Sequence, residues 1–132
     1  MSDVELRRAI YRHFAATGLA PVPEEVGATA DDYRRLAGSH AVVLGADGRI
    51  DFANPFASGP TDYVVEADEV ERFGICAWDG LGVLAALGRD GRLRVPSQEL
   101  VLEVRSGLLE PTAAVAHFLV PAAHWYDDLR HT

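Results

Sequence analysis

Cysteine occurs once in this chain, at position 76, and a carboxylate, Asp79, follows three residues later. A thiol beside a carboxyl group makes a soft nucleophile or metal ligand with a proton donor at its side. On a helix, residues three apart are neighbours, so the spacing brings the two groups together if they share one. Leu81, Val83, Leu84, Ala85 and Leu87 read as a mostly buried helix, and Gly88 as its stop. A start near Ala77 puts Cys76 at the first turn, where unpaired N–H groups and the positive dipole end favour a thiolate. Plainer readings exist. A single free cysteine is often a small buried hydrophobe, and an Asp at a helix start is often only a favourable charge. Trp78, between them, can wall an apolar pocket or simply pack in the core.

Other groups point to chemistry less strongly. His117 falls in an apparent strand, where a satisfied or exposed histidine is the simpler reading. His124 and His131 are seven apart, looser than the i, i+4 pair of a zinc site on a helix, and no Glu partner fits. Asp127 and Asp128 read as solvent-facing or local caps. Gly80-Leu81-Gly82 lies inside the helix pattern and lacks the strand and turn that precede a dinucleotide loop. No Ser-His-Asp order is recognisable.

The elements that must position Cys76 follow from periodicity and punctuation. Residues 3–17 read as a helix with Val4, Leu6, Ile10, Tyr11 and Phe14 as its apolar stripe, Ser2 or Asp3 as cap and Gly18 as stop. Pro23 to Gly27 reads as a single turn, and Thr29 caps a helix over 30–37 closed by Gly38. A strand over 40–44, a turn at Gly45-Ala46-Asp47-Gly48 and a return strand over 49–53 complete the outline of a winged helix-turn-helix. The would-be recognition helix pairs Asp31 and Asp32 with Arg34 and Arg35, which favours a packing module over a DNA reader. Asn54-Pro55-Phe56-Ala57-Ser58-Gly59-Pro60 reads as a boundary that breaks regular structure. Beyond it, strands are expected over 62–66, after the acidic stretch 66–71, over 93–96, over 100–104 and over 113–120, with a helical stretch over 122–130. The expected fold is α+β. A three-helix winged-helix-like module (1–53) and a linker (54–61) precede a domain (62–132) whose small mixed β-sheet packs around one central helix.

Bulk properties exclude several classes. At 132 residues and 48% hydrophobic, the chain has enough apolar material for a core. The formal charge of −8 argues against phosphate-rich or anionic membrane partners. One cysteine rules out an intrachain disulfide. The acidic start, Met1-Ser2-Asp3-Val4-Glu5, lacks the apolar region of a signal peptide, and no run is long enough to span a bilayer. A soluble cytoplasmic protein acting on a small molecule is the expectation, with the oligomeric state left open.

Taken in order, these parts resemble the organomercurial (alkylmercury) lyase family. The resemblance is carried by Pro55-Phe56 and Pro60-Thr61, by Cys76-Ala77-Trp78-Asp79 opening a Gly- and Leu-rich helix with a Gly88-Arg89 exit, by Leu102-Glu103-Val104, and by Glu110-Pro111 ahead of Phe118-Leu119-Val120-Pro121. It implies that Cys76 is the helix cysteine that captures the organomercurial and binds mercury, and that Asp79 is the acid that protonates the departing carbon, a second metal contact. It implies no resident cofactor, since mercury enters as substrate or product ion. Soft thiolates suit a soft metal, and a positioned acid completes protonolysis. The family pattern also includes a second catalytic cysteine after a segment like 125–132, and often one after the central helix; Val95-Pro96-Ser97-Gln98 holds none. The expectation is either a chain cut short at Thr132 or a naturally short relative. Two further readings stand beside the lyase: a non-lyase relative binding a small apolar ligand or metal ion in the same pocket, and a winged-helix transcription regulator.

Overall fold

The computed structural model describes residues 1–127. Helix α1 (Asp3–Thr17) begins where the Ser2 hydroxyl accepts the Glu5 N–H at 3.3 Å and the Glu5 carboxylate accepts the Ser2 N–H at 2.8 Å. This reciprocal cap satisfies two donors that a helix start leaves open. Leu6, Ile10 and Phe14 fall on one face and are buried. Pro23–Val26 forms one 3-10 turn, and α2 (Ala30–Gly38) starts at Thr29 with Tyr33 and Leu36 buried. It runs one residue past the expected stop, with Ser39 as its cap.

The strands are β1 (Val43–Leu44), β2 (Ile50–Ala53), β3 (Phe56–Ala57), β4 (Val64–Ala67), β5 (Val70–Gly74), β6 (Gly91–Val95), β7 (Leu100–Arg105) and β8 (Leu108–Leu109); α3 (Ala77–Leu87) lies between β5 and β6. They form one eight-stranded sheet in the order β1-β2-β3-β5-β4-β6-β7-β8. Every pairing is antiparallel, which corrects the mixed sheet expected from the sequence. The reason is topological. A helical crossover must join strands of like direction, and β5 and β6 are such a pair, but β4 sits between them. Both pair with β4 in antiparallel fashion, so no parallel ladder arises. Helix α3 therefore crosses β4 and packs on β4, β5 and β6.

Several local expectations change. The strand expected over 40–44 shrinks to Val43–Leu44, because His40 sits at φ 61 and turns the chain first. Within the expected linker, Phe56 and Ala57 form β3 between β2 and β5, so the sheet runs through that stretch. The Phe56 ring stacks on Phe14 at 5.2 Å, which fixes α1 to the sheet. The acidic stretch 66–71 holds the turn between two strands: Asp68 and Glu69 take positive φ and join β4 to β5, and Glu66 pairs with Arg92 and Arg94 across the ladder. The strand expected over 113–120 is absent; residues 110–118 carry no regular structure and Val115 is 88% exposed. Strand propensity expresses fit to a pleated, half-buried surface, and this apolar run has no such surface beneath it. Helical structure after Pro121 is a 3-10 stretch, Ala122–Asp127. Asp128, His131 and the rest of the expected 122–130 helix lie outside the described residues.

One buried charge ties the halves of this frame together. Arg72, on β5, is 3% exposed. Its guanidinium donates to the carbonyls of Ala15 at 2.8 Å, Ala67 at 2.9 Å and Val70 at 3.3 Å. The Ala15 carbonyl belongs to the last turn of α1, where carbonyls lack helical partners. Burial lowers the Arg72 pKa from its ordinary value, and Asp68 opposes that shift.

Candidate functional site at the front of the central helix

The start of α3 is held by close backbone packing. Gly74 ends β5, and a Cβ placed on it would lie 2.6 Å from the Gly80 nitrogen. A Cβ on Gly80 would lie 2.6 Å from Leu93 Cδ1 on β6. Only glycines allow the helix front to sit this close to the sheet. The Thr61 hydroxyl donates to the Gly74 carbonyl at 2.6 Å and accepts the Tyr63 N–H at 3.1 Å, clamping the end of β5 from the neighbouring segment. Two residues later the chain turns into the helix.

Cys76 is the residue at that turn. Its backbone is extended (φ −145, ψ 178), and its carbonyl accepts the Gly80 N–H at 2.9 Å. Its sulfur accepts the Asp79 N–H at 3.5 Å, occupying the place an N-cap oxygen usually takes. The expected helix, with Cys76 at its front and Gly88 as its stop, is therefore present, and Gly88 takes φ 63. Gly80, Val83 and Leu84 form its buried face.

The electrostatics differ from the expectation of a ready thiolate. Burial pushes the half-buried Cys76 thiol up, and this outweighs the Asp79 N–H bond, which favours the charged sulfur. The Asp79 carboxylate raises the thiol further. Asp79 is itself pushed up by burial, opposed by its hydrogen bond with Cys76. The sulfur thus meets the Asp79 backbone N–H, and burial favours the protonated forms of both side chains. Such a pair holds a proton beside a soft ligand instead of holding two negative charges.

The other candidate residues separate from this pair. Trp78 is 61% exposed and takes no place in the core; its ring meets Phe118 edge-on at 6.1 Å. Phe118 in turn stacks on Trp125 at 5.7 Å. In the sequence, Phe118 stood out only within the motif Phe118-Leu119-Val120-Pro121 and Trp125 only within the segment 125–132, and neither was marked as a neighbour of Trp78. His117 lies in an exposed stretch without strand structure. His124 faces Asp127 at 3.1 Å. Among the described residues, no three His, Cys, Asp or Glu side chains gather as a metal site would require. No helix among them is long and apolar enough to cross a membrane.

Comparison with known proteins adds a lineage. A sequence model of the family described as alkylmercury lyase matches residues 56–132. Among solved structures, the chain is similar to one described as the mercury-bound form of MerB2, at 21% identity with a TM-score of 0.54. That match covers 83% of this chain and 68% of the other. No curated protein matches.

Proposed function

This chain belongs to the alkylmercury lyase family, and on that premise we propose that it captures an organomercurial at Cys76 and cleaves its carbon–mercury bond with a proton from Asp79. The observation that supports the reading is the Cys76 sulfur at the front of α3, 3.5 Å from the Asp79 backbone nitrogen, with burial raising the pKa of the Asp79 carboxyl group. Capture exchanges one partner of mercury: Cys76–SH and R–Hg–X give Cys76–S–Hg–R, and the thiol proton leaves with X. In the proposed step the second sulfur is supplied by a small external thiol, R′SH. Its donation weakens the bond to carbon, and the electron pair of that bond takes the Asp79 proton. The products are RH and Cys76–S–Hg–SR′, and the R′SH proton restores the carboxyl group. No electrons are gained or lost overall, and thiolates suit the soft ion throughout.

The proposal keeps the sequence-derived division: a winged-helix-like packing module (1–53), a connecting segment (54–61) that lends β3 to the sheet, and a lyase-like domain (62–132). The single cysteine also favours a second reading, a relative that uses the same site to hold a small apolar ligand or a metal ion without turnover. The two readings part on one assay. With excess external thiol, the first expects hydrocarbon release from an arylmercury compound and the second expects binding alone. Under either mercury reading, Cys76→Ser removes stoichiometric capture of the compound, measured by mercury retained after gel filtration. Undiminished retention by that variant would place the site elsewhere.

A further inference from the structure

Gly74 is the last residue of β5, two before Cys76, and it is buried. A buried backbone needs partners for both its N–H and its carbonyl. Here both come from one short segment, residues 61–63, which leads into β4. The Gly74 N–H donates to the Tyr63 carbonyl at 3.0 Å, and the Thr61 hydroxyl donates to the Gly74 carbonyl at 2.6 Å. The same hydroxyl accepts the Tyr63 N–H at 3.1 Å, which holds it in place within the segment. Between the two, Asp62 accepts the Ser97 N–H at 3.1 Å and the Ser97 hydroxyl, tying the segment to the turn after β6. Residues 61–63 thus bracket the strand that enters α3 and the strand that follows it. Gly74 in turn lies against the first turn of α3. A Cβ built on it would lie 3.1 Å from the Asp79 carbonyl carbon and 2.6 Å from the Gly80 nitrogen. Those two atoms form the peptide that follows Asp79, the residue whose N–H meets the Cys76 sulfur.

We infer that Thr61 is a positioning residue for the proposed reaction: its hydroxyl fixes Gly74, and Gly74 sets the backbone turn that holds the Asp79 N–H against the Cys76 sulfur. The inference rests on the reading of Cys76 and Asp79 as the reacting pair. Thr61 acts through Gly74 and takes no part in making or breaking bonds. A methyl group in place of the hydroxyl removes a donor from the buried Gly74 carbonyl and presses a carbon on it. The carbonyl must then shift, and only Ile75 separates it from Cys76. Small displacements of reacting groups cost rate steeply.

The test uses the full chain with Thr61→Val, which removes the hydroxyl, and Thr61→Ser, which keeps it. Amide hydrogen exchange is followed by NMR at the two ends of α3: at Asp79, and at Gly88, whose N–H donates to the Leu84 carbonyl at 3.0 Å. In Thr61→Val, exchange at Asp79 should rise about 2–10-fold while Gly88 holds its wild-type rate. Benzene release from phenylmercury with excess small thiol, in a single turnover, should slow about 10–100-fold. Thr61→Ser should restore both. Exchange unchanged at Asp79, or raised equally at Gly88, means a role in stability alone and overturns the assignment; so does release at the wild-type rate. Should Thr61→Val not fold, Thr61→Ala presses no methyl group on the carbonyl and is read by the same two amides. If wild type releases no benzene yet the amides behave as stated, the lyase reading fails and the hold of Thr61 on the helix front stands. If wild type releases benzene and Thr61→Val matches it, the positioning role fails and the lyase reading stands.

Discussion

At the scale of single residues, the proposed site is a sulfur and a carboxyl group whose charges are held back by burial. The proposed reaction then has opposed pH demands. Capture needs the thiolate, and burial pushes the Cys76 pKa up, so capture should climb about tenfold per pH unit until that pKa is reached. Protonolysis needs the Asp79 proton, and should weaken as pH rises through the elevated carboxyl pKa. Stopped-flow capture and single-turnover hydrocarbon release, each followed against pH, should therefore slope in opposite directions. The same shift has a stability consequence. A carboxyl group whose folded pKa is raised contributes stability that is fully present below its unfolded value and is lost as pH rises through the folded one. Asp79→Asn should remove that loss, so urea midpoints of wild type should drop more between acid and neutral pH than those of the variant.

At the scale of elements, the front of α3 is placed by what is missing from two residues. A methyl group at Gly80 would press on Leu93, which is fully buried and cannot yield. Gly80→Ala should cost about 1–3 kcal/mol by overpacking, read from urea midpoints. Because the displaced element carries Cys76 and Asp79, it should also slow mercurial capture, whereas Gly38→Ala, in open space, should not. The central helix was legible because its cap, its apolar run and its Gly88 stop all agree within a dozen residues. The exact reach of strands was not. Residues 113–120 have the composition of a strand, but pairing depends on a sheet edge that composition cannot reveal, and Val115 is left exposed. Conversely, Phe56 and Ala57 sit among prolines that signal a break, yet they pair with β2 and β5, with Phe56 stacked on Phe14. The thiolate expectation failed for a similar reason: the helix front was foreseeable, but the burial that raises the thiol pKa was not.

At the scale of the whole molecule, the sheet and the N-terminal helices behave as one frame around the site. Arg72 is the internal tie, serving carbonyls of α1 and of the β4–β5 hairpin that leads towards Cys76. Arg72→Leu should leave the Ala15 carbonyl, in the last turn of α1, without its guanidinium partner and cost about 1–3 kcal/mol, measured by denaturant unfolding. The net charge of −8 argues against nucleic acid as a partner of the proposed winged-helix-like module. Family membership and overall α+β class were legible in the sequence because they rest on the order of many parts. The place of Cys76 and Asp79 at the front of α3 was legible because it is local. The aromatic contact across from position 78 to position 118 was not, since no periodicity links residues so far apart. The central claim, that Asp79 protonates carbon on mercury held by Cys76, is tested most directly in a single turnover. Wild type and Asp79→Asn are each loaded with one equivalent of phenylmercury, excess small thiol is added, and benzene is quantified over time. The account predicts that both proteins load equally and that benzene release slows about 10²–10⁴-fold in the variant. Release at the wild-type rate from Asp79→Asn would contradict it.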